Sequence, residues 1–252
     1  MTGRVTLVGG GPGADDLITV GGARALADAD VVLYDRLAPH DNLATLAPRA
    51  LLINVGKQPG HHAITQQGIE QLLVEHALSG SNVVRLKGGD PYVFGRGSEE
   101  VIACQAAGVS VTVIPGVSSA IAVPAAAGIP LTHRGVSHLF TVVSGHAVPS
   151  DTELEHLAGL GGTIVVLMGV GNLVPIVQGL ARFGLAADVP VAMIERGFSA
   201  EQKTTISTIG SAVTDSAGVG NPAVLVIGEV VRLAHSGDAD AATLYERATA
   251  LA

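Results

Sequence analysis

Apolar and polar positions change period several times along this chain. Short β-branched runs read as strands: VTLVG (Val5–Gly9), DVVLYD (Asp30–Asp35), LLINVG (Leu51–Gly56), NVVRLK (Asn82–Lys87) and VSVTVI (Val109–Ile114). Helical periods fall between them. One helix is predicted from Thr19 to about Ala29, and a second after a Thr65 cap, with Ile69, Leu72, Leu73 and Ala77 on one face. A third is expected after a Ser98 cap, opened by Glu99 and Glu100, whose charges suit the N-terminal dipole, and closed by Gly108. Strands alternating with helices imply right-handed crossovers and a mostly parallel sheet.

Past Pro115-Gly116 the pattern changes. LFTVVSG (Leu139–Gly145), TIVVLMG (Thr163–Gly169), VPVAMIE (Val189–Glu195), KTTISTI (Lys203–Ile209) and AVLVIGEVV (Ala223–Val231) read as strands, with one convincing helix from about Asn172 to Phe183. More strands with fewer helices predict a mixed sheet. The expected architecture is therefore two α/β domains, 1–115 and 116–252, the second ending in a loosely docked tail from about residue 235.

Composition narrows the function classes. Net charge is −8, Trp is absent and aromatics are 3%, which argues against nucleic acid as a partner. Up to Gly116 there are eight Lys/Arg against eleven Asp/Glu, and beyond it six against eleven, so the first part is the less acidic. Its basic residues Arg36, Lys57, Arg85, Lys87 and Arg96 lie at or near strand ends, where α/β sites form. Cys104 is the single cysteine, in a helical pattern that makes it a packing residue; no internal disulfide is possible, and a cytoplasmic setting is expected. Strand-like sequence from Arg4 gives no expectation of a signal peptide, and no apolar run reaches the roughly 20 residues of a membrane span.

Three glycine-rich stretches carry the candidate chemistry. GGGPGADD (Gly9–Asp16) follows the first strand, and Gly9, Gly11 and Ala14 match the G-x-G-x-x-A dinucleotide fingerprint, with Asp35 ending the next strand. Pro12, however, lacks an N–H for a pyrophosphate, and Gly9 to Asp35 is longer than the usual unit. VRLKGGDPYVFGRGSEE (Val83–Glu100) offers bare backbone at Gly88-Gly89, a turn at Asp90-Pro91, and a cation, Arg96, between two glycines. IPGVSSAIAVPAAAGIPLTHRG (Ile114–Gly135) has small residues that admit a ligand closely, with Pro124 expected to kink or interrupt the helix that follows; an Ala-rich packing helix is the competing reading. His61-His62 has no partner at a metal-ligand spacing, so no metal is expected.

Together with YDRL (Tyr34–Leu37) and Gly56-Lys57, these stretches resemble the uroporphyrinogen-III C-methyltransferases of the tetrapyrrole methylase family, over about Val5 to Val231. The resemblance implies two α/β domains with a folded S-adenosylmethionine in the interdomain cleft, and S-adenosylhomocysteine as product. It implies cofactor contacts at Pro12, at Gly88, Gly89, Asp90 and Val93, at Ser118 and Ser119, and at Met168, Gly197 and Ala223. Asp35 matches the family's proton acceptor and Lys57 its proton donor. Ser118 stands where Thr is more usual, and GGGPGADD replaces the commoner GAGPGDP.

The implied reaction is methylation of uroporphyrinogen III at carbons 2 and 7 to precorrin-2, toward sirohaem and cobalamin. The substrate's eight carboxylates call for cations, and Arg36, Arg85, Arg96 and Arg134 are the candidates, with Phe94 at the same site. Asp35 has a competing reading as a helix cap or a partner of Arg36, and Lys57 one as a carboxylate binder. A small-molecule tetrapyrrole is the expected partner, with no membrane and a homodimer as the assembly the family suggests. Methylation at another precorrin position, a nicotinamide-dependent oxidoreductase and a catalytically silent binding module are the alternatives.

Overall fold

The computed structural model describes residues 2–56 and 64–235. The chain divides into two compact units, Met1–Ser118 and Ser119–Ala252.

The first unit is a parallel sheet covered on both faces. Strands β1 (Arg4–Gly9), β2 (Val31–Tyr34), β3 (Leu51–Asn54), β4 (Asn82–Lys87) and β5 (Ser110–Ile114) lie in the order β3-β2-β4-β1-β5, and every adjacent pair runs parallel. The intervening helices are α1 (Val20–Ala27), α2 (Leu43–Leu46), α3 (Gln66–Leu78) and α4 (Gly97–Ala106). Side chains alternate across a strand, so each strand feeds two cores. Val5 and Leu7 of β1, Val31 and Leu33 of β2 and Val83 of β4 pack with Ile69, Leu73 and Ala77 of α3 and Cys104 of α4. Burying Ile69 and Leu73 contributes roughly 1.5–3 kcal/mol each. Val8, Val32, Val84 and Leu86 point the other way, onto Leu26 and Leu43.

The cap expected at Thr65 holds, and Thr19, where a helix is expected to start, is also a cap. Thr19 accepts the N–H of Gly22 and Thr65 that of Gly68, each at 3.1 Å. The third differs. Helix α4 starts at Gly97, and its cap position is Arg96, left-handed at φ 59°, which puts Ser98 inside the first turn with no cap to make. Glu99 and Glu100 both lie in the first turn, as expected; Glu99 meets Arg96 at the surface, while Glu100 is fully buried.

The second unit holds a mixed sheet in the order β6-β7-β10-β8-β9, from β6 (Phe140–Ser144), β7 (Thr163–Leu167), β8 (Pro190–Glu195), β9 (Lys203–Thr208) and β10 (Ala223–Ile227). Only β6 and β7 pair in parallel. Its helices are α5 (Ser119–Ala126), α6 (Asp151–Leu160), α7 (Leu173–Arg182) and α8 (Ala212–Asp215). Helix α6 escaped the sequence reading although Ser150 and Glu153 form a capping box, each side chain satisfying the other residue's N–H. Leu154 of α6 joins Ile176 and Leu180 of α7 over Val166, Met193 and Leu225. On the other face Ala120 and Val123 of α5 meet Val165, Ile194 and Val226. Pro124 lies inside this helix, buried, and the helix ends two residues later at Ala126. Strand β10 stops at Gly228 (φ 140°), after which Glu229–Leu233 winds into a 3-10 turn instead of extending the strand.

Candidate active site

The three glycine-rich stretches do not stay separate. Strands β1 and β4 are neighbours whose connections leave in opposite directions, to β2 and to β5, which is where open α/β sheets form a crevice at their carboxyl ends. The loops leaving them are zipped together. Gly10 N–H donates to the Lys87 carbonyl (2.8 Å), Gly11 N–H to Gly89 O (3.2 Å) and Gly89 N–H to Gly11 O (2.7 Å). A methyl group on Gly116 would lie 2.4 Å from Gly89 O and 2.6 Å from the Gly9 carbonyl carbon, so only hydrogen fits there. Asp90 ties the junction: its carboxylate accepts the N–H of Tyr92 (2.8 Å) and that of Gly116 (3.1 Å).

This packing removes the dinucleotide reading of the first loop. The N–H groups of Gly10 and Gly11 are committed to Lys87 and Gly89. The loop runs into a 3-10 turn at Asp15–Leu17, and α1 begins only at Val20, so no helix N-terminus faces the glycines. The outer rim of the junction is open instead. Gly13 has no atom within 4 Å of a built-on Cβ, and Tyr92, Val93 and Phe94 are exposed. Phe94 (φ 53°) and Arg96 (φ 59°) hold left-handed backbone, a conformation costing on the order of 1 kcal/mol at such residues.

Beside the junction lies a chain of four charges. Alternation along β4 puts Arg85 and Lys87 on the same face as Val83, under α3 and α4. Glu100 Oε1 accepts from Arg85 Nε (3.0 Å), Lys87 Nζ (2.9 Å) and Gln66 Nε2 (3.3 Å). Arg85 Nη2 donates to Asp35 Oδ1 at 2.6 Å, and Nη1 to the Leu86 carbonyl at 3.1 Å. Burial, and then the neighbouring Arg85 charge, hold the Lys87 ammonium below its ordinary pKa. Arg85 is only 2% exposed, so its guanidinium is spent inside the unit rather than offered to a substrate carboxylate. Asp35 is accordingly the partner of Arg85, not of Arg36 and not a helix cap. Its side chain is 31% exposed, the one member of the four that reaches solvent.

Arg36 and Arg96 are exposed in the first unit, Arg96 bridged to Glu99, and Arg134 is exposed in the second. Lys57 and the His61-His62 pair lie outside the described residues. Among the described residues no His, Cys, Asp and Glu cluster could hold a metal.

In the second unit three predicted positions converge. Strand β10 runs antiparallel to β7 and β8, with Val224 opposite Leu167 and Ala223 opposite Glu195. Ala223 therefore sits at the sheet end from which Met168 and Gly197 emerge. Met168 is left-handed (φ 58°) and 45% exposed, its thioether unspent on the core. A Cβ on Gly197 would meet Val123 of α5 at 2.8 Å. Arg196 and Phe198 on either side of Gly197 are left-handed, and Glu195 keeps Oε2 buried without a partner among the described residues. The sequence reading missed these three, and also missed the buried Lys87–Glu100 pair.

The sequence matches the profile described as Tetrapyrrole (Corrin/Porphyrin) Methylases over residues 4–213. The chain belongs to the tetrapyrrole methylase family. This tetrapyrrole methylase is 46% identical over 237 residues to the S-adenosyl-L-methionine-dependent uroporphyrinogen III methyltransferase of Methanosarcina barkeri, spanning 92% of this chain and 93% of that protein. It is 45% identical over 242 residues to the uroporphyrinogen-III C-methyltransferase of Methanocaldococcus jannaschii, spanning 94% of this chain and 100% of the relative. It spans only 50% of a siroheme synthase from Edwardsiella ictaluri, at 41% identity over 92% of this chain. The Thermus thermophilus uroporphyrin-III C-methyl transferase complexed with S-adenosylhomocysteine superposes with a TM-score of 0.78 at 42% identity, over 92% of this chain and 100% of that one.

Proposed function

We propose that this methylase transfers methyl groups from S-adenosylmethionine to uroporphyrinogen III, giving precorrin-2. The observation that carries the reading is near-full-length identity of 45–46% to relatives named for this reaction. The geometry agrees with it, through glycine loops open at their rim beside a half-buried carboxylate.

The residues present fit the cofactor. Gly13 presents open backbone, with nothing within 4 Å of a built-on Cβ, and exposed Met168 presents a soft, non-nucleophilic sulfur suited to a sulfonium. In this reading the cofactor contacts are Pro12, Gly88, Gly89, Asp90, Val93, Ser118, Ser119, Met168, Gly197 and Ala223. When bound, S-adenosylmethionine supplies an electrophilic methyl carbon, which needs alignment rather than acid activation.

Alignment of nucleophile and electrophile at about 3 Å is worth on the order of 7–11 kcal/mol. Asp90 serves that end by pinning its loop to Gly116. The nucleophile is an enamine-like pyrrole carbon, and forming its bond to methyl leaves the ring with an extra positive charge. Loss of a ring proton restores neutrality. Asp35 accepts that proton on Oδ2, because Oδ1 is taken by Arg85. Lys57 is proposed as the proton donor. Arg36, Arg96 and Arg134 bind substrate carboxylates with Phe94 against the macrocycle, while Arg85 serves Asp35 instead. We further propose a cytoplasmic homodimer whose product stands at the branch toward sirohaem and cobalamin. Among the described residues no helix is long and apolar enough to cross a membrane.

The test is incubation with uroporphyrinogen III and labelled methyl donor, counting methyl groups per macrocycle. Two per ring are expected, and none would overturn the assignment. Labelling of a later precorrin only would move the reading to another ring position.

A further inference from the structure

Three of the four charges beside the glycine junction are out of reach of any ligand. Arg85 is 2% exposed and Glu100 0%, with the Lys87 side chain at 4%. Buried ion pairs stabilise a fold little, since desolvation offsets much of their attraction, and apolar residues of like volume often serve as well. A network in the middle of a Val- and Leu-rich sheet face therefore needs a reason other than stability. Its connectivity supplies one. All three guanidinium nitrogens of Arg85 are engaged: Nε by Glu100, Nη1 by the Leu86 carbonyl and Nη2 by Asp35. The planar fork fixes the angle between these bonds, so the position of Glu100 dictates where Nη2 meets Asp35.

We infer that Glu100 is a positioning residue for the reaction: it acts through Arg85 to hold the Asp35 carboxylate in place, with Lys87 as the second cation that keeps the buried group neutral. The inference rests on Asp35 being the base. Glu100 gathers Arg85, Lys87 and Gln66 on one oxygen, Oε1, and so anchors α3, α4 and β4 at a single point. Asp35, at the end of β2, is the only member that also faces outward. The Arg85 bond to Oδ1 holds the carboxylate in this orientation and leaves Oδ2 for a proton. Two cations and two carboxylates make the set neutral, and removing Glu100 alone leaves Arg85 and Lys87 both competing for Asp35.

The experiment is a double-mutant cycle on turnover, with S-adenosylhomocysteine affinity measured alongside. Glu100→Gln is expected to lower kcat by about 100-fold, the scale of a 1 Å misplacement, with KM and S-adenosylhomocysteine affinity within about threefold of wild type. In an Asp35→Asn background the same substitution is expected to change kcat less than about threefold, because the residue it acts through is already gone. A full additional loss in that background would overturn the positioning role and leave Asp35 as the base. Wild-type turnover in Asp35→Asn would overturn both. Should Glu100→Gln fail to fold, Glu100→Gln with Lys87→Met removes one charge of each sign and keeps an oxygen for Arg85 Nε. That variant is expected to fold and to keep kcat within about tenfold of wild type. A folded double variant as slow as Asp35→Asn would refute a role exerted through the guanidinium's geometry.

Discussion

The Gly9–Gly89–Gly116 junction makes a quantitative demand that a single methyl group tests. In Gly116→Ala the new Cβ would stand 2.4 Å from Gly89 O, 2.6 Å from Gly9 C and 2.7 Å from Gly9 Cα, all backbone atoms. Reaching a tolerable 3.0–3.4 Å requires a shift of about 0.6–1 Å in a segment with no flexible side chain to give way. Overpacking of this kind costs about 1–3 kcal/mol. The shift also strains the Gly11–Gly89 bridge and the Asp90 bond, at about 1 kcal/mol for each bond lost. The expected destabilisation is about 2–5 kcal/mol, or roughly 4–20 °C in apparent Tm. Because the Gly88–Val93 loop moves with Gly89, S-adenosylhomocysteine should bind at least about tenfold more weakly. Thermal unfolding by circular dichroism and calorimetric titration read the two effects. Gly159→Ala is the control: it lies inside α6 with nothing within 4 Å, and should stabilise by about 0.5–1 kcal/mol. A Gly116→Ala protein with wild-type Tm and affinity would refute the close backbone packing and the role given to that loop.

Asp35→Asn should cut kcat sharply while leaving S-adenosylhomocysteine affinity nearly unchanged, and equal loss of both would refute the base. Ser118→Ala should weaken cofactor binding, and unaltered affinity in the same titration would remove that contact. Burial pushes the Cys104 thiol up to about 11, so at pH 8 only about one thiol in a thousand is ionised and iodoacetamide should label it only after unfolding. The folded state then keeps its proton while the unfolded chain loses one near the ordinary thiol value of 9.0, so stability should fall as pH rises from about 9 toward 11. Cys104→Val should flatten that limb of a denaturant–pH series, and an unchanged slope would contradict the assignment. Ser150→Ala removes the capping box of α6 and should cost about 1 kcal/mol in urea unfolding.

Local chemistry wrote much of this fold into the chain. Short β-branched runs located β1, β2 and β4, Thr19 and Thr65 located helix starts, and glycines directly after β1 and β4 marked the open loops. Those signals depend on neighbours only a few residues away, and so does the long glycine-rich resemblance. The capping box of α6 was equally local and was legible, though overlooked among the strands around it.

The destination of a side chain is different, because it depends on what another segment brings to the same place. Alternation along β4 turns Arg85 and Lys87 inward, but only the packing of α4 on that face turns Glu100 to meet them, 13 and 15 residues away in sequence. From sequence alone Glu100 reads as a charge at a helix end and Arg85 as a binder of a substrate carboxylate. Likewise Gly9, Gly89 and Gly116 become one junction only because β1 stands between β4 and β5 in the sheet. Sequence therefore fixed which residues were available for chemistry; strand order and helix packing decided which of them touch, since neither can be summed from short-range preferences.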